Sequence, residues 1–162
     1  MDAAADRKLA QAVVVDRDLE RVLLALHKEG RYEGFYTGLL DEILDNEMPA
    51  VAAARIAWEQ AEIRLGRSEF RALFTFTSAL WGRTDEYEFL VEAFYGQPRE
   101  TRKMRPEWYP IDRLPYQRMP ADDALWYPLL LAGKRLQGRF DFAPDGVELL
   151  SHEIIEVVEV QG

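Results

Sequence analysis

The sequence predicts one domain of the α/β or α+β class, on three observations. Its 162 residues are enough to enclose a sizeable core. Its composition, 48% hydrophobic and 30% charged, is that of an ordinary globular protein. β-leaning runs alternate with two helical stretches, without the regular strand–helix–strand period of a doubly wound sheet.

The elements follow in order. Residues 1–8 read as a loose start. Residues 9–15 and 21–26 are β-leaning runs on either side of Asp16-Arg17-Asp18, which suits a hairpin. Gly30, Gly34 and Gly38 fall in a loop with aromatic residues between them. Residues 49–65 read as a helix: Pro49 suits its first turn, alanines fill 50, 52, 53, 54 and 57, and Gly66 suits its stop. Residues 70–80 and 86–94 form a second strand pair. Prolines at 98, 106, 110, 115 and 120 punctuate an ordered connecting segment, because Trp108, Tyr109, Leu114 and Tyr116 give it groups to bury. Residues 122–131 read as a short helix, and 135–142 and 147–160 as β-leaning runs around Pro144-Asp145-Gly146. No repeat or low-complexity tract divides the chain, so 1–162 is expected to be a single domain.

Composition limits function. Acidic residues outnumber basic ones, 29 to 20, and a net charge of -9 disfavours nucleic-acid polymers, whose binding depends on Lys and Arg neutralising phosphates. A small anionic ligand is still compatible, since a bound divalent cation reverses the sign locally. With no cysteine, disulfides, thiolate metal sites and Cys nucleophiles are excluded. No secretory signal and no apolar run approaching the ~20 residues of a membrane span is visible, so a soluble, cytoplasmic protein is expected. His27 and His152 stand in no ligand-like motif and read as surface or packing residues. No G-x-S-x-G elbow or Walker-type loop is present. A symmetric homodimer stays open, with no residue singled out for it.

The stretch from Asp41 to Ile63 carries the most specific signal. Glu47, Arg55 and Glu59 match the acidic, Arg and acidic positions of the pattern G-x5-E-x7-R-E-U-x-E-E-x-G-U, the Nudix box, where U is a bulky aliphatic residue. Asp41 stands at its first Gly, Ile56 at the Glu after Arg, Gln60 at the last Glu and Glu62 at the second Gly. Further on, M-R-P-E-W-Y-P-I-D-R-L-P-Y-Q-R-M-P-A-D-D-A-L-W-Y-P-L-L-L at 104–131 resembles the M-R-P-x-W, I-P-F-like and M-W-P-D-D-S-Y-W-F-P-L-L-L segments of the mammalian-type 8-oxo-dGTP diphosphatases, which are MutT-like Nudix hydrolases. Gly138-Arg-Phe-Asp-Phe, Phe74-Thr-Phe76 and Arg21-Val-Leu-Leu resemble three strands of that family. The likeness runs from about residue 9 to 158.

The resemblance implies a Nudix fold, a curled mixed sheet sandwiched between helices, and attack of water on a phosphoryl group beside Mg²⁺ (or Mn²⁺) held by box carboxylates. A site of that kind needs several oxygen ligands on one helical face. Carried over, Glu59 is the principal metal-ligand candidate, Arg55 orients carboxylates, Glu47 supports the loop and its Arg, and Glu100 falls where P-x-E-x-x-x-M-R-P places an acidic residue near the metals. Gln60 offers a neutral oxygen and Glu62 a substitute carboxylate, whereas Ile56 can ligate nothing. The metal site is therefore expected to be weakened, and any metal weakly bound. Read without the resemblance, Glu47, Arg55, Glu59 and Glu62 also suit a solvated, salt-bridged helix face.

For the nucleotide base, the resemblance places Thr37 where the family has a base-reading Asn, Tyr36 where it has Trp, and Pro120 where another Trp would stack; Asp122 and Asp123 are retained. Thr37 loses the planar donor–acceptor pair of an amide. Asp122 and Asp123 equally suit the N-terminus of a helix. Tyr36, Phe74, Phe76, Trp81 and Trp126 are the aromatic pocket candidates, and core positions are the alternative for each. The expected ligand is a nucleoside di- or triphosphate, with oxidised purines among the candidates. The alternative is a Nudix-fold module that binds a nucleotide or a protein without hydrolysis.

Overall fold

The computed structural model describes residues 6–162. Eleven strands and two α-helices run in the order β1 (Arg7–Asp16), β2 (Arg21–His27), β3 (Tyr36–Thr37), β4 (Leu39–Glu42), α1 (Pro49–Ala61), β5 (Arg64–Leu65), β6 (Ser68–Ser78), β7 (Gly82–Val91), β8 (Phe94–Tyr95), β9 (Met104–Pro110), α2 (Asp123–Leu131), β10 (Leu136–Phe142) and β11 (Leu149–Glu156). Nine strands form one mixed sheet along the path β11-β10-β6-β7-β1-β2-β3, with β4 paired to β1 and β9 to β2. The β1–β7 and β6–β10 pairs are parallel and the others antiparallel. β5 and β8 make a separate two-stranded ribbon.

The sheet is covered on both faces, as its sequence requires. β1 reads as a continuous apolar run because both of its faces are buried. Ala10, Ala12 and Val14 pack with Ala52, Ala53, Ile56 and Ala57 of α1. Val13 and Val15 point the other way, into the layer of Trp126, Tyr127 and Leu130 of α2. The small side chains on α1 and β1 let the helix lie close to the strand.

One irregularity builds the site. β1 and β2 pair only through residues 14–16 and 21–23. β3 then pairs β2 at Ala25 and Leu26, while β4 pairs β1 from Leu9 to Ala12. Gly38 joins β3 to β4 at the split, where a Cβ would lie 2.8 Å from both the Ala12 carbonyl oxygen and Gln11 Oε1. Only glycine fits that approach.

Several expected boundaries move. Residues 1–5 of the expected loose start lie outside the described residues, but Arg7 and Lys8 are strand, held parallel to Thr84 and Asp85 of β7. α1 stops at Ala61, with Glu62 in the left-handed region (φ 54°), and Arg64–Leu65 is strand; Gly66 is not the stop. The proline-punctuated segment contains β9, which pairs β2 along its length. Pro106 and Pro110 are compatible there because β9 pairs on one side only.

Candidate functional site

The box residues retained in sequence form a clasp. Arg55 Nε and Nη2 donate to the two carboxylate oxygens of Glu47 (2.8 and 2.9 Å), and Nη1 donates to Glu59 Oε1 (2.6 Å). Nη2 also donates to the Glu42 carbonyl (2.9 Å), and the Leu44 amide donates to Glu47 (3.0 Å). Arg55 thus ties the box loop to its helix with the fork geometry that suits a carboxylate. Its hydrogen bonds hold the Glu47 carboxyl below the ordinary range.

The replaced box residues form a different surface. Ile56 and Gln60, four apart, share the inward face of α1. Ile56 is packed in the core. Gln60 is also buried: its Oε1 accepts from the Leu40 amide (3.0 Å) and its Nε2 donates to the Leu40 carbonyl (2.7 Å). Both ends of the amide are engaged by β4, so the neutral oxygen expected as a metal ligand is already taken.

Behind the β1/β2 split lies a buried polar chamber. Thr84, Glu86 and Glu88 alternate with outer residues of β7 and face α2 with Leu90. Asp122 and Asp123 come from the start of α2, Gln11 from β1 and Tyr127 from the second turn of α2. Gln11 Nε2 donates to Glu88 Oε2 (2.6 Å), while its Oε1 accepts from the Gly38 amide (2.7 Å) and the Tyr127 hydroxyl (2.9 Å). Trp126 Nε1 donates to Asp122 Oδ2 (2.8 Å), and no side-chain cap bond is made at the start of α2. The capping explanation for Asp122 therefore gives way to a pairing with the indole. Glu88 Oε1 and Asp123 Oδ2 are buried and meet no donor other than the neighbouring carboxyls of Glu86 and Asp122; Asp123 also lines a void of about 10 Å³ with Gln11, Thr37, Glu86 and Asp122.

Burial pushes all four carboxyls of the chamber up: Glu86 to about 7, Glu88 and Asp123 well above the carboxylate range, and Asp122 less so. Neighbouring carboxyls add to the shift of Glu88 and Asp123. A cluster of this kind holds protons at neutral pH and so presents hydroxyl donors as well as acceptors. Thr37 contributes less than expected. Its hydroxyl donates to the Gly38 carbonyl (2.6 Å), so the 2.6 Å contact to His27 Nε2 must have histidine as donor. Desolvation lowers the His27 pKa to about 4, which keeps the ring neutral. His27 is thus a buried partner of Thr37, while His152 is exposed.

Two recesses open beside this chamber. One, of about 200 Å³, is lined by Phe35, Phe76, Trp81, Pro120 and Phe142 among others. The second, of about 210 Å³, reaches the box through Asp41 and Gln60 and also carries Arg7, His27 and Lys103. Arg31 and Tyr32 line both. Arg31 Nη1 donates to Thr84 Oγ1 (2.9 Å), and its guanidinium lies 5.0 Å from the Trp81 ring centre. The Tyr32 hydroxyl feels the carboxyls of Glu86, Asp122 and Asp123, which with burial push its pKa up.

Asp122, Asp123, Thr37 and Phe76 line the chamber, and Trp81 and Phe76 the aromatic recess. Tyr36, Phe74 and Trp126 are core: each is at most 1% exposed and lines none of the three spaces. The expected metal-site residues do not meet. Glu59 and Glu62 share a shallow depression with Arg102 and Lys103, Gln60 lies in the box recess, and Glu100 accepts from Lys28 Nζ. Among the described residues no group of three His, Cys, Asp or Glu is placed to hold a metal ion. The side chains present at the box helix do not fit a family-type Mg²⁺ site. Sequence reasoning missed Gln11, Glu86, Glu88, Arg31 and Lys103. The available signal was parity, since 84, 86 and 88 share a strand face with the apolar Leu90.

A mixed sheet between two helices, with a loop–helix–loop box clasped by Arg55, is the architecture of the Nudix hydrolases. The chain is 32% identical over 149 residues to an oxidized purine nucleoside triphosphate hydrolase of Danio rerio, covering 86% of this chain and 90% of that one. It is 30% identical over 144 residues to the protein of that description from Mus musculus, covering 85% and 88%. A MutT protein from Bacillus halodurans superposes with a TM-score of 0.79 at 22% identity, over 91% of this chain and 97% of that one. No protein-family model matches the chain. The chain belongs to the Nudix hydrolase family, among its MutT-like members. Nudix hydrolases generally use divalent metals such as Mg²⁺ or Mn²⁺. No helix among the described residues is long and apolar enough to cross a membrane.

Proposed function

We propose that this chain is a nucleotide-directed pyrophosphohydrolase of the Nudix class, acting on nucleoside di- or triphosphates with oxidised purines among them, and that its metal-dependent step is weak. The observation carrying the nucleotide reading is the buried Asp122–Asp123 pair facing a void between β1, β7 and α2, next to an aromatic recess. A mixed set of protonated and ionised carboxyls can pair with the donors and acceptors on a purine edge. The Danio rerio and Mus musculus relatives, by their descriptions, act on oxidized purine nucleoside triphosphates, which supports that ligand class. The proposed setting is the cytoplasm, in keeping with a cysteine-free composition.

The weak step follows from the box helix. To hold Mg²⁺ or Mn²⁺, Glu59 and Glu100 have one carboxylate oxygen each outside their ion pairs with Arg55 and Lys28. Ile56 supports the second reading directly, a nucleotide binder that hydrolyses little or nothing. Product release from canonical and oxidised nucleoside di- and triphosphates, with Mg²⁺, Mn²⁺ or chelator, separates the two. Metal-dependent turnover lost in Glu59→Gln supports the hydrolase. Ligand-dependent thermal stabilisation without product supports the binder. Neither turnover nor stabilisation by any nucleotide refutes both.

A further inference from the structure

The box recess raises a question that the retained residues do not answer. Asp41 and Gln60, two positions of the box, line it, so it adjoins the box. The side chains there carry both signs, three cations against three acids. Arg7 enters from β1, Arg31 from the loop after β2 and Lys103 from the residue before β9.

Three acids, Glu29, Asp41 and Glu42, also line the recess; Glu29 makes no ion pair among the described residues, and the engagement of the other two decides which cations are free. Glu42 Oε1 pairs with Arg7 at 2.8 Å. Asp41 uses Oδ1 on the Glu42 amide, and its Oδ2 approaches Lys103 Nζ at 3.8 Å, too long for a hydrogen bond. Arg31 gives one donor to Thr84 and keeps others, although its charge also acts on the buried carboxyls of Glu86 and Asp122. A recess of about 210 Å³ with unused ammonium and guanidinium donors is suited to an anion with several acceptor oxygens. The neighbouring depression shares Lys103 and adds Arg102, together with the acids Glu59 and Glu62.

We infer that Lys103 and Arg31, with Arg7, hold the phosphate chain of the ligand directly in this recess, without a divalent metal. Protein cations take the place that a carboxylate-bound metal has in a Nudix site, and this is why Ile56 and Gln60 can be a core residue and a strand clasp. The inference rests on the nucleotide reading above and gives it a phosphate subsite.

The test measures binding, not turnover. Tripolyphosphate and a nucleoside triphosphate are titrated calorimetrically into the intact protein in chelator and again in excess Mg²⁺. Direct binding predicts that both associate in chelator. It also predicts that Mg²⁺ weakens binding, because it competes for the same oxygens. Lys103→Ala is expected to weaken both ligands by roughly tenfold in chelator, the scale of one charge-assisted hydrogen bond, and Lys103→Arg to restore most of it. Asp41→Asn is expected to tighten binding by removing the negative charge 3.8 Å from Lys103, whereas an Asp41 that served a metal would give the opposite sign. The side chains of Lys103 and Asp41 are 42% and 39% exposed, so neither change threatens the core. Nucleotide binding that requires Mg²⁺, or that ignores Lys103, overturns the inference and leaves the nucleotide reading standing. Failure of the nucleotide to bind in either condition removes the nucleotide reading and the inference with it.

Discussion

Replacing Gln60 with alanine tests the view that this box position has become structural. A strand residue directs its N–H and C=O to the same side, so with its amide bound to Gln60, Leu40 turns both peptide groups toward α1 and away from β1. Leu40 is 3% exposed and Gln60 is 3% exposed, so water does not already serve these groups. Alanine orphans one donor and one acceptor at ~1–3 kcal/mol each, a loss of ~2–6 kcal/mol. Water entering the space left by the shorter side chain moves the result toward the lower end. For a domain of this size each kcal/mol lowers Tm by ~2–4 °C, so the expected drop is at least ~4 °C. Urea unfolding followed by tryptophan fluorescence, with Tm from circular dichroism, measures both. A loss under ~0.5 kcal/mol, the level of an ordinary surface change, would refute the clasp.

Three further outcomes are expected. Glu86 and Glu88 bind protons in the folded protein that the unfolded chain has released: burial raises both above the ordinary 4.5, Glu86 to about 7. Their stabilising contribution is complete below that ordinary value and is lost as pH rises through about 7. Glu88→Gln should therefore raise Tm at pH 8 and leave it little changed at pH 4.5; an equal shift at both, or none, contradicts the assignment. Glu62→Gly should stabilise by ~0.5–1 kcal/mol in urea unfolding, because Glu62 occupies a left-handed C-cap that costs a side chain ~1–2 kcal/mol, offset by glycine's greater unfolded entropy. Arg55→Ala should cost ~1.5–3 kcal/mol in the same assay, since it breaks the charge-assisted fork to Glu47 and leaves the Glu42 carbonyl unpaired. A change within ~0.5 kcal/mol would return Glu47, Arg55 and Glu59 to an ordinary solvated face.

The pattern of the chain by itself determined the strand runs of β1 and β2, the alanine-rich helix and the family. These rest on local periodicity and on motifs whose residues lie close together in sequence. The box clasp was legible for the same reason: Glu47, Arg55 and Glu59 are one helix and its entry loop, so their spacing fixes their contact. Helix ends were less so. Glu62 stops α1 in a conformation that residue type disfavours, and only the pull of Arg64–Leu65 into a ribbon with Phe94–Tyr95 accounts for it.

What only the tertiary structure decided is where the polar groups go. Gln60 reads as a neutral-oxygen ligand in place of a carboxylate, yet its partner is the Leu40 backbone, 20 residues away and set by the β1–β4 pairing. Glu86 and Glu88 fall in the expected strand run 86–94, which by itself says nothing of their burial. The parallel β1–β7 register turns them inward and sets Glu88 opposite Gln11, 77 residues away. Lys103 enters the box recess because β9 lies antiparallel to the length of β2. Burial and charge pairing depend on such long-range registers, and a register one residue off would turn each of these side chains to the other face of the sheet.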